Sequence, residues 1–396
     1  MLTNKKFSVI MFFIFLFTFL VVSIPSLFIY KLLHTAKEDI SLEEIVRIQL
    51  KENTIYNPLD LNLLKYAYKM ELIKNTKPKV VALGSSRVMQ FREESFNQDF
   101  ITTGRAMNYL NEGYLFLKEM TRYYKPEIII LGLDFWWFND KYSQPKYFDN
   151  NKDTSINIKD KINKVLSAII KNEIDINIFK YISRGRNNIT NYDNVGIMSL
   201  EYSNGFRKDG SYQYSQFILG NKKNDDIKFL NTFSIINNGL FPFIYGEHIS
   251  ESRVKIFYDI LNFARDNNIK LILFIPPLAN EVVEKIDSLG DKYNYINEFR
   301  NLINNTSIEH YDFHDMRNYY KDSCEFIDGF HAGDVTYQRI LAKMYDSNSS
   351  ISKYLNIDLI RKSIDDNKGK TLTIFDKSKY KIYKENDYLE LGCVKQ

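Results

Sequence analysis

Cysteine, proline and glycine are scarce in this sequence of 396 residues. Its two cysteines, eight prolines and sixteen glycines exclude a disulfide-dense scaffold, a collagen-like chain and a low-complexity chain. One sign of charge does not dominate either, since 53 lysines and arginines stand against 49 aspartates and glutamates. Nucleic-acid binding needs a concentrated basic face, so this balance argues against a nucleic-acid partner. What the sequence does have is 44% hydrophobic and 15% aromatic residues, enough to bury a substantial core.

The longest uncharged run lies near the N-terminus and extends over 24 residues, from Phe7 to Tyr30. As a helix it exceeds the roughly 30 Å thickness of a bilayer's hydrocarbon core. The alternative is a cleaved signal peptide, whose apolar region would be shorter and would end in small residues, yet the first alanine is Ala36. Lys5 and Lys6 precede the run and favour a cytoplasmic N-terminus. The sequence therefore predicts a single-pass cell-membrane protein with residues from about 32 onward outside the cytoplasm.

Three short apolar runs predict buried strands. They are Lys79–Leu83 (KVVAL), Glu127–Leu133 (EIIILGL) and Lys270–Ile275 (KLILFI). Helical patterns precede the second and third runs, at about 111–123 and 251–266. Continuous apolar strands that alternate with helices are typical of a parallel sheet covered on both faces. We therefore expect an α/β fold, a doubly wound parallel sheet flanked by helices and preceded by one transmembrane helix.

The chain divides by composition into four expected parts. These are a leader and anchor (1–31), a helical linker region (32–77), an α/β domain (78–350) with an insertion at about 141–250, and a C-terminal tail (351–396). One helix is expected inside the insertion, near 158–171, and a hairpin in the tail (TLTIFD and KYKIY). Cys324 and Cys393 either form one disulfide that ties the tail to the domain or remain two separate thiols.

Two short motifs carry groups suited to nucleophilic catalysis. Gly84-Ser85-Ser86-Arg87 follows the first strand directly, where a glycine permits a tight turn and a hydroxyl lies near helix N–H groups. The alternative role for these serines is to cap the following helix. Asp328 stands three residues before His331, a spacing that lets the carboxylate fix the imidazole's tautomer. The order Ser, Asp, His therefore predicts a hydroxyl that is activated by a histidine.

At these residues the sequence resembles the SGNH (GDSL-like) hydrolase superfamily, over roughly residues 78–140 and 268–345. The resemblance implies that Ser86 is the nucleophile and that Asp328 and His331 complete a triad. Backbone N–H groups of Ser86 and Gly104 would form the oxyanion hole. The family's third block has an asparagine that also donates there, and this chain has Asp134 at that position. The oxyanion hole is thus where the sequence departs from the family pattern.

The GSSR form of the first block, together with one N-terminal span, is similar to envelope proteins of the DltD and alginate-acetylation kind. This implies an acyl esterase or O-acyltransferase that needs no cofactor and acts on a cell-envelope polysaccharide or teichoic-type polymer, beside a membrane-bound O-acyltransferase. Arg87 and Arg105 would contact an anionic polymer, or else form surface ion pairs. The alternative function is a membrane-tethered binding or scaffold protein with a degenerate site, which the Asp134 departure favours.

Two further groups of residues invite a functional reading. Trp136 and Trp137 could stack on sugar rings, although neighbours on an extended chain point to opposite sides, so burial in the core is preferred. The stretch 310–315 (HYDFHD) contains potential metal ligands, but its pattern fits a strand that leads towards the last motif, and no metal site is expected.

Overall fold

The structure is a computed structural model, and it describes residues 4–52, 54–97, 99–143, 157–184, 194–202, 204–215, 225–319, 322–373, 387 and 389–393. Its contacts divide the chain into two compact units. The helical unit comprises Met1–Leu61 and Asp153–Gly205, and the α/β unit comprises Asn62–Lys152 and Phe206–Gln396. Part of the expected insertion therefore belongs with the N-terminal segment. The hairpin predicted in the tail lies outside the described residues.

Helices and strands alternate along the chain. The helices are α1 (Asn4–Thr35), α2 (Leu42–Glu52), α3 (Leu61–Thr76), α4 (Leu110–Tyr123), α5 (Ile158–Ile170), α6 (Ile197–Tyr202), α7 (Leu230–Asn237), α8 (Glu251–Asp266), α9 (Asn280–Asp287), α10 (Asn294–Asn304), α11 (Asp334–Asp346) and α12 (Ile357–Asp366). The strands are β1 (Val80–Gly84), β2 (Phe100–Gly104), β3 (Ile128–Gly132), β4 (Asn204–Phe206), β5 (Tyr212–Tyr214), β6 (Lys270–Ile275) and β7 (His310–Asp312).

The α/β unit is built on a parallel sheet of five strands flanked by helices, which confirms the predicted fold class. The strand order is β2-β1-β3-β6-β7. Counted within the sheet this is 2-1-3-4-5, an order found in doubly wound sheets. In the register, Val80 pairs with both Phe100 and Ile128. Every residue of β1, β2 and β3 is buried, as their apolar runs require.

The strand order reverses at β1. The connections from β1 and β3 leave in opposite directions, and doubly wound sheets bind ligands at the carboxyl ends of such strands. Ser85 and Ser86 follow β1, and Asp134 follows β3. The sheet topology therefore brings the first and third sequence motifs to one edge of the α/β unit.

The helical unit is organised around the end of α1. Among the described residues, α1 is the one helix long and apolar enough to cross a membrane, with a mean hydropathy of 2.8 over its best window. Its last turns are buried in a core with α5, α6 and the 3-10 stretch Ile176–Arg184. Buried Glu38 follows α1 and receives hydrogen bonds from the Lys161 ammonium (2.6 Å) and the Ile197 N–H (2.9 Å). Helix α1 thus has a long apolar part that is exposed and last turns that are packed in the core of the helical unit.

Candidate active site

The two adjacent serines in the turn after β1 have different hydrogen-bonding roles. Gly84 has no room for a side chain, because an added Cβ would lie 2.9 Å from Val88 Cγ1 and 3.2 Å from the Gly132 carbonyl. The Ser85 hydroxyl accepts a hydrogen bond from the Arg87 N–H (3.2 Å) and so caps the 3-10 turn Ser86–Val88. The capping role considered for both serines thus belongs to Ser85, and the Ser86 hydroxyl is left for another partner.

That partner is His331. Ser86 Oγ lies 2.8 Å from His331 Nε2, although the two residues are 245 positions apart. His331 Nδ1 lies 2.8 Å from Asp328 Oδ2. The tautomer that fits carries its proton on Nδ1, donates to Asp328 and presents a bare Nε2 to the serine hydroxyl. The structure therefore brings the three residues Ser86, His331 and Asp328 together in the connectivity of a Ser-His-Asp triad.

The Asp328 carboxylate is held in its ionised state. Its Oδ1 accepts hydrogen bonds from the N–H groups of Phe330 (2.9 Å) and His331 (2.8 Å). Burial alone would raise the pKa of Asp328. The attraction of His331 and these hydrogen bonds outweigh burial, so the pKa lies below its ordinary value. The side chains of His331 and Asp328 remain 18% and 26% exposed, so the triad opens to solvent.

The loop that carries Asp328 and His331 is fixed by a residue that the sequence analysis did not single out. The buried carboxylate of Asp226 accepts a hydrogen bond from the Gly329 N–H (2.9 Å) and two from Thr232, through its N–H (2.9 Å) and hydroxyl (2.6 Å). A Cβ on Gly329 would lie 2.6 Å from the Thr232 side chain. An aspartate in a polar insertion gives no sequence signal for this role, because its partner lies 103 positions away.

Arg87 and Asp134 form a buried ion pair beneath the serine turn. Their side chains are each 1% exposed, and Arg87 Nη1 lies 3.1 Å from Asp134 Oδ1. Arg87 Nη2 donates to the carbonyls of Pro276 (2.8 Å) and Pro277 (2.7 Å). Burial raises the pKa of Asp134, and the nearby Arg87 and Ser85 oppose that rise. The expectation that Arg87 contacts an external anionic polymer is wrong, because its guanidinium is buried and both Nη atoms are bonded within the fold.

The expected oxyanion donors are only partly in place. Ser86 opens the 3-10 turn, and the first N–H groups of a helical turn have no partner inside it. The Gly104 N–H instead donates to Thr102 Oγ1 (3.2 Å), in the resting geometry. An added Cβ at Gly104 would lie 2.4 Å from Met89 Cγ, so this glycine permits close packing against the serine turn. The Asp134 carboxylate faces Arg87. Neither Gly104 nor Asp134 thus matches its expected oxyanion role.

Arg105 lies one residue beyond β2 with a left-handed backbone, φ +70°. Its Nη2 donates to Asn62 Oδ1 (2.5 Å), and the residue is half-buried. Trp136 and Trp137 are buried, which confirms the preferred interpretation of this pair. Trp136 lies under the guanidinium of Arg87, with 5.6 Å between Cζ and the ring centroid. The tryptophans therefore support the site from below and do not form an exposed platform.

The stretch 310–315 contains strand β7 (His310–Asp312), and a strand was expected there. Asp312 pairs with Arg300 (2.7 Å) and Asp315 with Arg317 (2.7 Å). Burial lowers the pKa of His314 well below its ordinary value, and its ring packs edge-on against a phenylalanine. Over the described ranges, no group of three or more His, Cys, Asp or Glu side chains is placed to hold a metal ion.

Cys324 and Cys393 form a disulfide, with 5.8 Å between their Cα atoms. It closes a loop across 69 positions and joins the end of the chain to the segment that precedes Asp328. Of the two alternatives, the structure therefore has the disulfide and not two separate thiols.

Comparison with protein-family models, with curated proteins and with solved structures finds no match to this chain.

Proposed function

We propose that this chain is a single-pass membrane protein of SGNH-hydrolase type whose α/β unit is a serine acyl esterase or O-acyltransferase outside the cytoplasm. Its substrate class would be acyl esters of a cell-envelope polysaccharide or teichoic-type polymer. The observation that carries the proposal is the 2.8 Å approach of Ser86 Oγ to His331 Nε2, with Asp328 at 2.8 Å from the other ring nitrogen.

The proposed chemistry follows from this connectivity. His331 Nε2 accepts the proton of Ser86 while Oγ attacks the ester carbonyl, and Asp328 orients the imidazolium and stabilises its charge. The C–O bond to the alcohol then breaks, the His331 imidazolium gives its proton to the leaving oxygen, and the acyl group remains on Ser86 Oγ as an ester. Water or a sugar hydroxyl, deprotonated by His331, attacks this ester, takes the acyl group and releases Ser86, which regains the proton. Every step uses proton transfer and a covalent ester, so the chain's own residues suffice. The strand order supports the same location, because doubly wound sheets bind ligands where the order reverses.

Arg105 is the residue through which we propose contact with an anionic acceptor. It is half-buried at the carboxyl end of β2, the same edge of the sheet at which the Ser86 turn follows β1. An arginine in a left-handed backbone conformation costs of order 1 kcal/mol, which the surrounding structure must offset. A membrane-bound O-acyltransferase would supply or receive the acyl group, as the resemblance to envelope-modifying proteins implies.

The membrane and compartment assignments rest on two observations. Ile29, Leu32 and Leu33 at the end of α1 are buried in the core of the helical unit. Removing α1 as a signal peptide would strip this core, so its burial supports a retained anchor. The Cys324–Cys393 disulfide supports an oxidising compartment, since cytosolic thiols are kept reduced.

A second candidate function is a tethered binding or scaffold protein with a degenerate site. It is favoured by the oxyanion region, where the Gly104 N–H bonds to Thr102 and the Asp134 carboxylate bonds to Arg87. Each missing oxyanion donor costs about 3 kcal/mol of barrier, or roughly two orders of magnitude in rate. This candidate and the enzyme differ in whether Ser86 reacts as a nucleophile.

Labelling with a fluorophosphonate tests that difference on the full chain in detergent or nanodiscs. The enzyme proposal expects covalent labelling that is lost in Ser86→Ala. Ser85→Ala is the matched control, because it removes the neighbouring hydroxyl, which caps the turn and does not contact His331. Labelling that persists in Ser86→Ala, or none in the wild type, contradicts the proposed enzyme. The acyl ester lost from the envelope when the gene is deleted would then identify the substrate.

A further inference from the structure

Two isoleucines of the helical unit are strongly exposed. Ile170 is 79% exposed at the end of α5, and Ile176 is 67% exposed at the start of the 3-10 stretch that follows. Only five residues separate them, and between them the chain makes a turn that contains exposed Lys171, Glu173 and Asp175. Scattered exposed apolar residues are normal on soluble proteins. The exposure of these two side chains therefore does not by itself indicate a binding surface. The level of the turn relative to α1 is what points to a partner.

Helix α5 runs antiparallel to the end of α1. Near the start of α5, the Lys161 ammonium contacts the carbonyl (2.7 Å) and carboxylate (2.6 Å) of Glu38, just beyond the end of α1. Further along, Ala168 of α5 is buried in the same core as Ile29 and Leu32 of α1. The contacts thus begin at the end of α1 and continue back towards its uncharged part.

The length of α5 sets the level of the turn. From Lys161 to Ile170 the helix advances nine residues, or roughly 13 Å at 1.5 Å per residue. The chain turns between Thr35, where α1 ends, and Glu38, so the same advance is counted back from Thr35 and reaches Ser26. Ser26 lies in the last part of the uncharged run Phe7–Tyr30, and the first following charge is Lys31. The two exposed isoleucines therefore lie at the level where the membrane-length run ends.

We propose that Ile170 and Ile176 insert into the boundary between lipid headgroups and acyl chains, beside the anchor helix. At that depth exposed apolar side chains gain a non-aqueous environment, and the Lys171 stem reaches along the apolar surface to the headgroups. The helical unit then has two contacts with the bilayer, the anchor and this turn, and a second contact restricts its tilt about α1. The inference rests on the proposed membrane anchoring and is independent of the acyl chemistry.

Nitroxide spin labels in nanodiscs test the proposal on the full chain. The native cysteines are joined in a disulfide, so single variants Ile170→Cys and Ile176→Cys take one label each. Lys159→Cys is the matched control, because it is exposed on the same helix, about 16 Å further from the membrane level by helix rise. Val22→Cys, in the middle of α1, is the reference for the anchor itself. Collision with oxygen, which concentrates in lipid, is compared with collision with a water-soluble nickel chelate.

We expect the oxygen collision rate to exceed the nickel rate several-fold at positions 170, 176 and 22, and the reverse at 159. Nickel-dominated values at 170 and 176, with an oxygen-dominated value at 22, overturn this inference while the anchor stands. Labels at 170 and 176 that neither reagent reaches would mean that protein covers the turn, which also overturns it. An aqueous value at 22 refutes the anchoring and with it the inference.

Discussion

The buried pair of Arg87 and Asp134 allows the sharpest prediction, the effect of Asp134→Asn. This substitution keeps the shape of the side chain and restores the amide that the SGNH pattern has at this position, but it leaves the Arg87 charge without its counterion. Removing one partner of a buried pair costs about 3–5 kcal/mol. The Pro276 and Pro277 carbonyls still accept from Arg87, so we expect the lower end, about 3 kcal/mol. For the roughly 280 residues of the α/β unit that lowers the melting temperature by about 5 °C.

Three further variants, namely Arg87→Met alone, Arg87→Met combined with Asp134→Asn, and Asp312→Asn, separate the ion pair from other causes. Arg87→Met combined with Asp134→Asn removes both charges, so we expect it to recover a substantial part of the loss. The resulting coupling energy should be at least about 2 kcal/mol. Asp312→Asn is the matched control, because this carboxylate also lies at a strand end and pairs with an arginine, but Arg300 is 32% exposed. A partly exposed pair of that kind is worth about 1 kcal/mol or less.

The melting temperature of each variant is measured by intrinsic fluorescence during thermal unfolding, with all variants in the same membrane mimetic. Trp136 is a local probe, since its ring centroid lies 5.6 Å from Arg87 Cζ. The reasoning is refuted if Asp134→Asn melts within 2 °C of the wild type, or if the double variant is as unstable as the sum of its single variants. Fluorophosphonate labelling gives a second readout. Because residue 134 faces Arg87, we expect no acceleration in Asp134→Asn, and a faster reaction would place that amide in the oxyanion hole.

Three other changes have definite expected outcomes. Asp328→Asn should slow fluorophosphonate labelling by about three to four orders of magnitude, because it removes the carboxylate that sets the His331 tautomer. Folding lowers the pKa of Asp328, so the ionised carboxylate stabilises the wild type above the unfolded pKa of about 3.9. The free energy of unfolding, measured as the pH falls, should show this contribution fading in the wild type and missing in Asp328→Asn. Asp226→Ala should cost about 2–4 kcal/mol and slow labelling, whereas Asp365→Ala, at an exposed position of α12, should leave both unchanged; equal effects would contradict the positioning role. Cys393→Ser should lower the free energy of unfolding by up to about 4 kcal/mol, a reductant should lower that of the wild type by the same amount, and a wild type whose melting point does not respond to the reductant would rule out the observed pairing.

Most of the sheet was predictable because its strands are marked by local composition. The runs KVVAL, EIIILGL and KLILFI became β1, β3 and β6, and the pattern before the third run became α8 with the expected bounds. Strand β2 was missed, since FITTG contains two threonines where a buried strand usually has apolar residues. The structure shows how they are accommodated. The Thr102 and Thr103 hydroxyls donate to the carbonyls of Val88 (3.0 Å) and Ala82 (3.0 Å). A sequence pattern cannot reveal such partners.

The candidate site was predictable in its residue types and less so in its surroundings. The order Ser86, Asp328, His331 pointed to the three groups that the fold brings together. Arg87 resembled a surface residue because it follows two serines in a polar turn, yet it pairs with a carboxylate 47 positions away. The same separation hid the buried ion pair of Asp134, which the resemblance to the SGNH pattern had placed at the oxyanion hole.

The sequence by itself determined the membrane-length run, the apolar strands and the chemical types at the motifs, because hydrophobic spacing and short motifs are properties of neighbouring residues. Only the tertiary structure decided which serine faces the histidine, which charges are buried as a pair and which aspartate holds the histidine loop. Those outcomes depend on contacts between residues tens to hundreds of positions apart, and such contacts exist only once the parallel strands have brought their carboxyl ends to one edge.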